Sequence, residues 1–322
     1  MKPAVLVATK GWEPEHWAER IRPLLPDRMI LRTDRQGVFG GGDGELADVR
    51  YILAWKPRLE TLDRLPNLEV IFSLGAGVDH VFALPHLPDL PIVRIVDEDL
   101  TGRMVEYVVW QVLHHLRRGR AYWQRQAEHR WDALDQPAAH QVTVGIMGLG
   151  EMGANSAEAL RRLGFPVRGW SRTPKRLEGV EAFSGADGFE GFLQGTDILV
   201  ALLPLTPETT GLIDMGCLRK LRREGPLGGP ILINAGRGGS QIEADIAAAI
   251  RDGTLAGASL DVFENEPLPA DSPLWDLPNV VITPHVAAVS DPHALARQIA
   301  EQILAFERGE GLRNVVDRSR GY

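Results

Sequence analysis

A strand-like run that turns on a G-x-G-x-x-G and continues as a helix constrains this chain more than any other feature. It reads Val142-Thr-Val-Gly-Ile-Met-Gly148-Leu149-Gly150-Glu-Met152-Gly153. Here the first glycine permits a tight turn, the second lets a pyrophosphate approach the backbone, and the third lets helix and strand pack closely. The helix N-terminus then offers unpaired N–H groups to phosphate charge. Turns alone can account for an isolated glycine triad. In this strand–turn–helix setting it predicts a dinucleotide-binding α/β unit, with Gly148, Leu149, Gly150, Met152 and Gly153 at the cofactor.

The next strand, predicted over Val167 to Trp170, runs into Ser171-Arg172-Thr173-Pro174-Lys175. A site that selects NAD places an acid at this strand end to accept the ribose hydroxyls, and none is present. Arg172 can pair instead with a 2′-phosphate, with Trp170, Ser171, Thr173 and Lys175 beside it. The expected cofactor is NADPH, with NADH as a weaker alternative. The bland alternative is a polar loop indifferent to the phosphate.

At 322 residues the chain suits two lobes with a cleft between them better than one core. A net charge of -8, without basic runs beyond pairs such as Arg117-Arg118, argues against nucleic acid or an anionic membrane as partner. Cys217 is the only cysteine, which excludes a disulfide framework and a thiolate cluster, and no metal site is expected. Its apolar context suggests a small buried side chain. The apolar run Ala4 to Ala8 is too short for a signal peptide or a membrane span, so a cytoplasmic location is expected.

The first hundred residues read as α/β. Strands are predicted at Ala4–Ala8, Tyr51–Ala54, Val70–Phe72 and Ile92–Ile95, helices at Glu13–Leu25 and Arg58–Leu65, and a loop at Gly40–Gly44. Such short apolar strands suit a buried parallel sheet. From Gly102 to Arg118 an apolar stripe at helical spacing predicts a helix carrying His114 and His115, expected at a surface or interface. Ala121 to Ala139 reads as a connecting segment with Trp123 and Trp131 as packing anchors. A second series follows, with strands at Val142–Met147, Val167–Trp170, Ile198–Ala201, Ile231–Asn234, Gly257–Val262 and Val280–Ile282. Helices are predicted at Met152–Leu163, Gln241–Asp252 and Ala294–Arg308.

Three further segments each follow a predicted strand: Asn234-Ala235-Gly236-Arg237-Gly, Leu260-Asp261-Val-Phe-Glu-Asn-Glu266-Pro267 and Thr283-Pro284-His285-Val-Ala287. In an open parallel sheet, residues just past the strand C-termini converge on the crevice where the dinucleotide binds. Singly these are a solvated arginine, a turn and a structural histidine. Together they suit reduction of a 2-keto acid. His285 can deliver a proton near neutral pH, and Glu266 can orient its ring and favour the protonated form. Arg237 can bind the carboxylate and polarise the keto oxygen. The backbone N–H groups of Gly75, Ala76 and Gly77 form a candidate carboxylate-binding nest, or only a glycine-rich turn.

With these segments in this order, the chain resembles the D-2-hydroxyacid dehydrogenase family over essentially its whole length. Ser73-Leu-Gly-Ala-Gly-Val-Asp79, Pro284-His-Val-Ala-Ala-Val-Ser290 and Val316-Asp-Arg-Ser-Arg-Gly-Tyr322 place the likeness in the glyoxylate/hydroxypyruvate reductase A branch. The resemblance implies two Rossmann-like lobes. A discontinuous, flavodoxin-like substrate lobe would span 1–98 and 286–322, and an inserted NAD(P)-binding lobe 99–285. It also implies a homodimer built on the helix and extension at about 102–139. Arg237, Glu266 and His285 would be catalytic, and Trp55, which is equally readable as a packing residue, would line the substrate pocket. Asp261 and Ala235 would lie toward the carboxamide end of the cofactor and Leu203, Pro204 and Thr209 toward the adenosine, with Gly236, His285 and Ala287 also at the cofactor. One departure is Ala287-Ala288, where many relatives carry Gly-Ser.

Two readings compete. The first is another enzyme of the same build, a formate or phosphoglycerate dehydrogenase; formate dehydrogenases carry Gln where Glu266 stands, and the acid here speaks against that. A dinucleotide-sensing corepressor or scaffold of the same fold, binding without significant turnover, can retain all three catalytic residues.

Overall fold

The computed structural model describes residues 3–318, so the last four residues of the Val316–Tyr322 motif lie outside the described residues. In chain order the elements are β1 (Ala4–Thr9), α1 (Pro14–Ile21), β2 (Ile30–Arg32), α2 (Asp43–Leu46), β3 (Val49–Trp55), α3 (Leu59–Leu62), β4 (Val70–Ser73), α4 (Asp79–Phe82) and β5 (Ile92–Val93). Next come α5 (Glu98–Leu116), α6 (Gly119–Ala127), β6 (Val144–Met147), α7 (Glu151–Arg162), β7 (Val167–Ser171), β8 (Val180–Ser184) and α8 (Gly185–Gln194). The remainder are β9 (Ile198–Ala201), α9 (Met215–Arg219), β10 (Ile231–Asn234), α10 (Glu243–Arg251), β11 (Gly257–Leu260), β12 (Val280–Ile282) and α11 (Pro292–Glu307).

These elements form two compact units, Met1–Asp99 with Ser290–Tyr322, and Leu100–Val289. The breaks therefore fall at Asp99 and Val289 rather than at 98 and 285. In the first unit five strands, all parallel, are ordered β2-β1-β3-β4-β5, the flavodoxin-like order. Every residue of β1 is buried, as expected of a central parallel strand covered on both faces. The C-terminal helix α11 returns to this unit and lies against α1.

The second unit holds a seven-stranded parallel sheet ordered β12-β11-β10-β9-β6-β7-β8. Counted from β6, this is the doubly wound 3-2-1-4-5-6 order with one strand added. Chain direction across the sheet reverses between β6 and β9, so the glycine turn after β6 opens at the switch point. Strands β6, β9, β10 and β11 are buried throughout, and their Val, Ile and Leu side chains form the core on both faces.

Several elements had no legible signal. Strand β2 has only three residues and β8 is half-exposed, so neither shows an alternation. Helix α8 is masked by glycines 185, 188 and 191, although Phe189, Phe192 and Leu193 recur at helical spacing. Helix α6, expected as connecting chain, buries no residue and so shows no apolar stripe. Two expectations about side chains need correction. Trp131 is fully exposed and anchors nothing within the described residues, while Trp123 packs on His114 at 5.2 Å but stays 56% exposed. His114 is buried and His115 lies inward, its Nε2 2.8 Å from Ser259 Oγ, so α5 points both rings at the body of the unit.

Candidate active site

The glycine turn is built as the strand–turn–helix reading requires. Gly148 has φ +107°, and a Cβ there would meet the Leu202 carbonyl oxygen at 2.7 Å. A Cβ on Gly153 would collide with the Gly148 carbonyl oxygen and lie 3.3 Å from Ile146 Cγ2. Gly150, at the N-cap of α7, differs: nothing lies within 4 Å of its Cβ position. Packing thus accounts for the first and third glycines and leaves the second with open space at a helix N-terminus. The residues present fit a dinucleotide phosphate there.

Around this turn, Leu149 is buried against Gly169 of β7, and Met152 packs on the α5-side core. The Trp170 indole turns inward, donating to the Gly185 carbonyl at 2.8 Å and meeting Phe189 edge-on. Only its backbone is left at the strand end. Ser171 Oγ donates to the Thr173 carbonyl at 2.9 Å, which shapes the turn that presents Arg172, Thr173 and Lys175 at the surface. Glu208 is the acid near this cluster; hydrogen bonding to Thr206, with a smaller contribution from the Arg172 charge, lowers its pKa. Thr209 Oγ1 donates to the Pro204 carbonyl at 2.7 Å, tying the turn that starts at the buried Leu203.

The loop after β10 is organised by a fully buried Asn234. Its Nδ2 donates to the Arg237 carbonyl at 3.2 Å and to Gln241 Oε1 at 2.8 Å, while its Oδ1 accepts from Gly236 N at 3.0 Å. Ser240 Oγ also donates to the Arg237 carbonyl, at 2.7 Å. Ala235 is buried, and a side chain on Gly236 would strike the Leu203 backbone at 2.9 Å, so this loop lies against the one after β9. Arg237 itself is half-buried, with Nη1 donating to the Gly236 carbonyl at 2.8 Å.

The loops after β11 and β12 are stitched to it. Gln241 Nε2 donates to the Val262 carbonyl at 2.9 Å, which joins the Arg237 loop to the Asp261 segment. Asp261, 1% exposed, accepts at Oδ1 from Thr283 Oγ1 (2.7 Å) and Val286 N (2.9 Å), and at Oδ2 from Ala287 N (3.0 Å). Its carbonyl accepts from His285 N at 2.8 Å. His285 has φ +54°, a left-handed conformation that side-chain-bearing residues rarely adopt, and Asp261 is what holds it there. The His285 ring lies beside Glu266, Nδ1 to Oε2 being 2.8 Å, and Glu266 Oε1 accepts from Phe263 N at 3.2 Å. Since a carboxylate only accepts, Nδ1 carries the proton in this pair, and the His285 side chain is 44% exposed.

In the first unit Trp55 ends β3 and is sandwiched: Trp12 stacks on it at 4.2 Å, His80 lies 4.7 Å away, and a Cβ on Gly75 would strike its ring at 2.5 Å. The expected three-amide nest is reduced to two. Gly75 N–H donates to Ser73 Oγ at 3.2 Å, whereas Ala76 and Gly77 N–H have no acceptor among the described residues. Cys217 is buried with its thiol pushed up to about 12, so it is no nucleophile. Among the described residues no cluster of His, Cys, Asp or Glu could hold a metal, and no helix is long and apolar enough to cross a membrane.

The family model for the D-isomer specific 2-hydroxyacid dehydrogenase NAD-binding domain matches residues 109–287, which include the glycine turn, Arg237, Glu266 and His285. The chain belongs to the D-2-hydroxyacid dehydrogenase family. This dehydrogenase is 44% identical over 312 residues to glyoxylate/hydroxypyruvate reductase A of Citrobacter koseri, 95% of this chain and 96% of that protein. A structure described as a "probable 2-hydroxyacid dehydrogenase" from Rhizobium etli, in complex with NADP, HEPES and L(+)-tartaric acid, is 50% identical with a TM-score of 0.91, covering 100% of both chains. The NADPH-dependent glyoxylate/hydroxypyruvate reductase of Sinorhizobium meliloti, in complex with NADP and sulfate, is 47% identical, also at TM-score 0.91 over 100% of both chains. The dehydrogenase is thus an NAD(P)-dependent oxidoreductase. The residues that sequence reasoning did not single out are Asn234 and Gln241, whose amides bond loop backbones, and Thr283 and Tyr107, whose hydroxyls bond each other, Thr283 also bonding the Asp261 carboxylate. The visible hint for two of them was a polar side chain at the end of an apolar strand (Asn234) or just past one (Thr283).

Proposed function

We propose that this dehydrogenase reduces small 2-keto acids, glyoxylate and hydroxypyruvate among them, to D-2-hydroxy acids with a preference for NADPH over NADH. The observation that carries the reading is the 2.8 Å His285–Glu266 pair, held on the same stitched set of loops as Arg237. When bound, NADPH supplies the hydride. His285 Nε2 holds the proton for the nascent alkoxide, and Glu266, accepting from Nδ1–H, keeps the ring in the orientation that presents it. The Arg237 guanidinium binds the carboxylate and stabilises charge growing on the keto oxygen. Trp55, Ala76 and Gly77 are assigned to substrate binding, with Gly75 shaping the turn rather than donating. Gly148, Leu149, Gly150, Met152 and Gly153 hold the pyrophosphate. Arg172, with Ser171, Thr173 and Lys175, binds the 2′-phosphate, and Trp170 takes part through its backbone. Leu203, Pro204 and Thr209 flank the adenosine side and Ala235 and Asp261 the carboxamide end, with Gly236, His285 and Ala287 also at the cofactor.

The exposed Trp110 and Trp123 on α5 and α6, with Trp131 beyond, support a homodimer formed through the segment of about 102–139. A reducing, cytoplasmic setting fits the single buried cysteine. The test is steady-state NADPH oxidation with a panel of 2-keto acids, run alongside His285→Asn. Turnover that falls by about 10²–10⁴-fold in the variant, with NADPH binding retained, supports the reading. No turnover by the wild-type protein at millimolar substrate favours the dinucleotide-sensing alternative.

A further inference from the structure

The turn that carries His285 is held by a hydrogen-bond chain that begins on helix α5, whose residues have no place in the reaction scheme. Thr283 Oγ1 lies 2.7 Å from Asp261 Oδ1 and 2.8 Å from Tyr107 Oη. A carboxylate has no proton to give, so Thr283 donates to Asp261, and its oxygen must then accept from the Tyr107 hydroxyl. The chain therefore has one direction: Tyr107 to Thr283, Thr283 to Asp261. Asp261 in turn receives the N–H groups of Val286 and Ala287 on its carboxylate and that of His285 on its carbonyl. Tyr107 and Asp261 are buried, and Thr283 between them is half-buried.

A second polar contact fixes the register of the helix. Ser259 Oγ donates to Gln111 Oε1 at 2.7 Å, one turn along from Tyr107, and so accepts from His115 Nε2 at 2.8 Å. Packing alone would have served α5 with apolar residues at these positions, and a hydroxyl, an amide and an imidazole are an expensive way to fill a core. What they provide is orientation. A left-handed residue such as His285 is kept only where its surroundings over-determine it.

We propose that Tyr107 and Thr283 are positioning residues for His285, so that helix α5, through Asp261, sets the conformation from which the proton is delivered. The proposal rests on the reading of His285 as proton donor. Tyr107→Phe keeps the ring and removes the donor; Thr283→Val keeps the shape and breaks the chain, and Thr283→Ser restores the hydroxyl. We expect kcat for 2-keto acid reduction to fall roughly 10-fold in Tyr107→Phe and more in Thr283→Val, with the Kd for NADPH within about twofold of wild type. Thr283→Ser should recover most of the loss. In a His285→Asn background Tyr107→Phe should change the residual rate by less than about twofold, since both act through one group.

Unchanged kcat in Tyr107→Phe, or a lowered Tm with normal kcat, overturns the proposal and leaves a structural bond only. An equal loss in both backgrounds also overturns it, because Tyr107 would then act elsewhere. Near-normal kcat in His285→Asn alone overturns the reading beneath it, a result that the single variant separates from the others.

Discussion

Two alanine substitutions three residues apart should behave in opposite ways. At Gly153 a Cβ would overlap the Gly148 carbonyl oxygen and stand 3.0 Å from its carbon, both backbone atoms that cannot swing aside. Gly153→Ala must push α7 off β6 or distort the turn, and overpacking of this kind costs about 1–3 kcal/mol. For a unit the size of residues 100–289, that is a fall in Tm of about 2–12 °C. At Gly150 the same methyl meets nothing within 4 Å, and φ −75°, ψ −165° is open to alanine. The gain from a stiffer unfolded chain, about 0.4–1 kcal/mol, and the loss of a good N-cap oppose each other, leaving Tm nearly unchanged. If the open space takes pyrophosphate, Gly150→Ala obstructs the ligand instead and weakens NADPH binding roughly 10- to 100-fold. Differential scanning fluorimetry and a fluorescence titration with NADPH measure the two effects. A Gly150→Ala protein that binds NADPH normally, or that melts as early as Gly153→Ala, refutes the assignment of the second glycine to the phosphate.

Arg172→Ala should raise the Kd for NADPH by roughly 10-fold or more and leave that for NADH within about twofold, and equal losses for both cofactors would remove Arg172 from the 2′-phosphate. Arg237→Lys should lower kcat and raise the keto acid KM together, because an ammonium cannot make the two-point contact of a guanidinium; a change in KM alone would show that only ground-state binding was lost. Stability should fall in acid through His115. Burial pushes its imidazole down to about 3, while the unfolded ring takes up a proton near pH 6.5, so its contribution is complete above about pH 6.5 and is lost as pH falls toward 3. At about pH 4.5 the loss is on the order of 3 kcal/mol, and urea midpoints at pH 7 and 4.5 should differ less in His115→Gln than in wild type. Identical differences would show that other groups account for the acid sensitivity.

Sequence alone determined the parts that depend on local backbone chemistry. The glycine spacing after an apolar run located the nucleotide turn, because only glycine accepts the conformation of Gly148 and the closeness of Gly153. Strands β6, β9, β10 and β11 were legible because strands of a parallel sheet buried on both faces are written largely in apolar residues. The lack of an acid after β7 carried the cofactor expectation in the same way. Elements with no buried face or no length, such as α6 and β2, left no pattern to read.

Tertiary structure decided how the loops after β10, β11 and β12 are joined. Gln241 and Asp261 reach across from one loop backbone to the next while Asn234 ties its own, and sequence shows a side chain's type but not the carbonyl or amide it will satisfy. The same holds for Tyr107, which lies far from Thr283 along the chain yet shares a hydrogen bond with it. It also holds for Gly75, whose amide was expected to bind a ligand and is taken by the Ser73 hydroxyl. Buried polar groups must find partners, and which partners they find is a property of the folded neighbourhood alone.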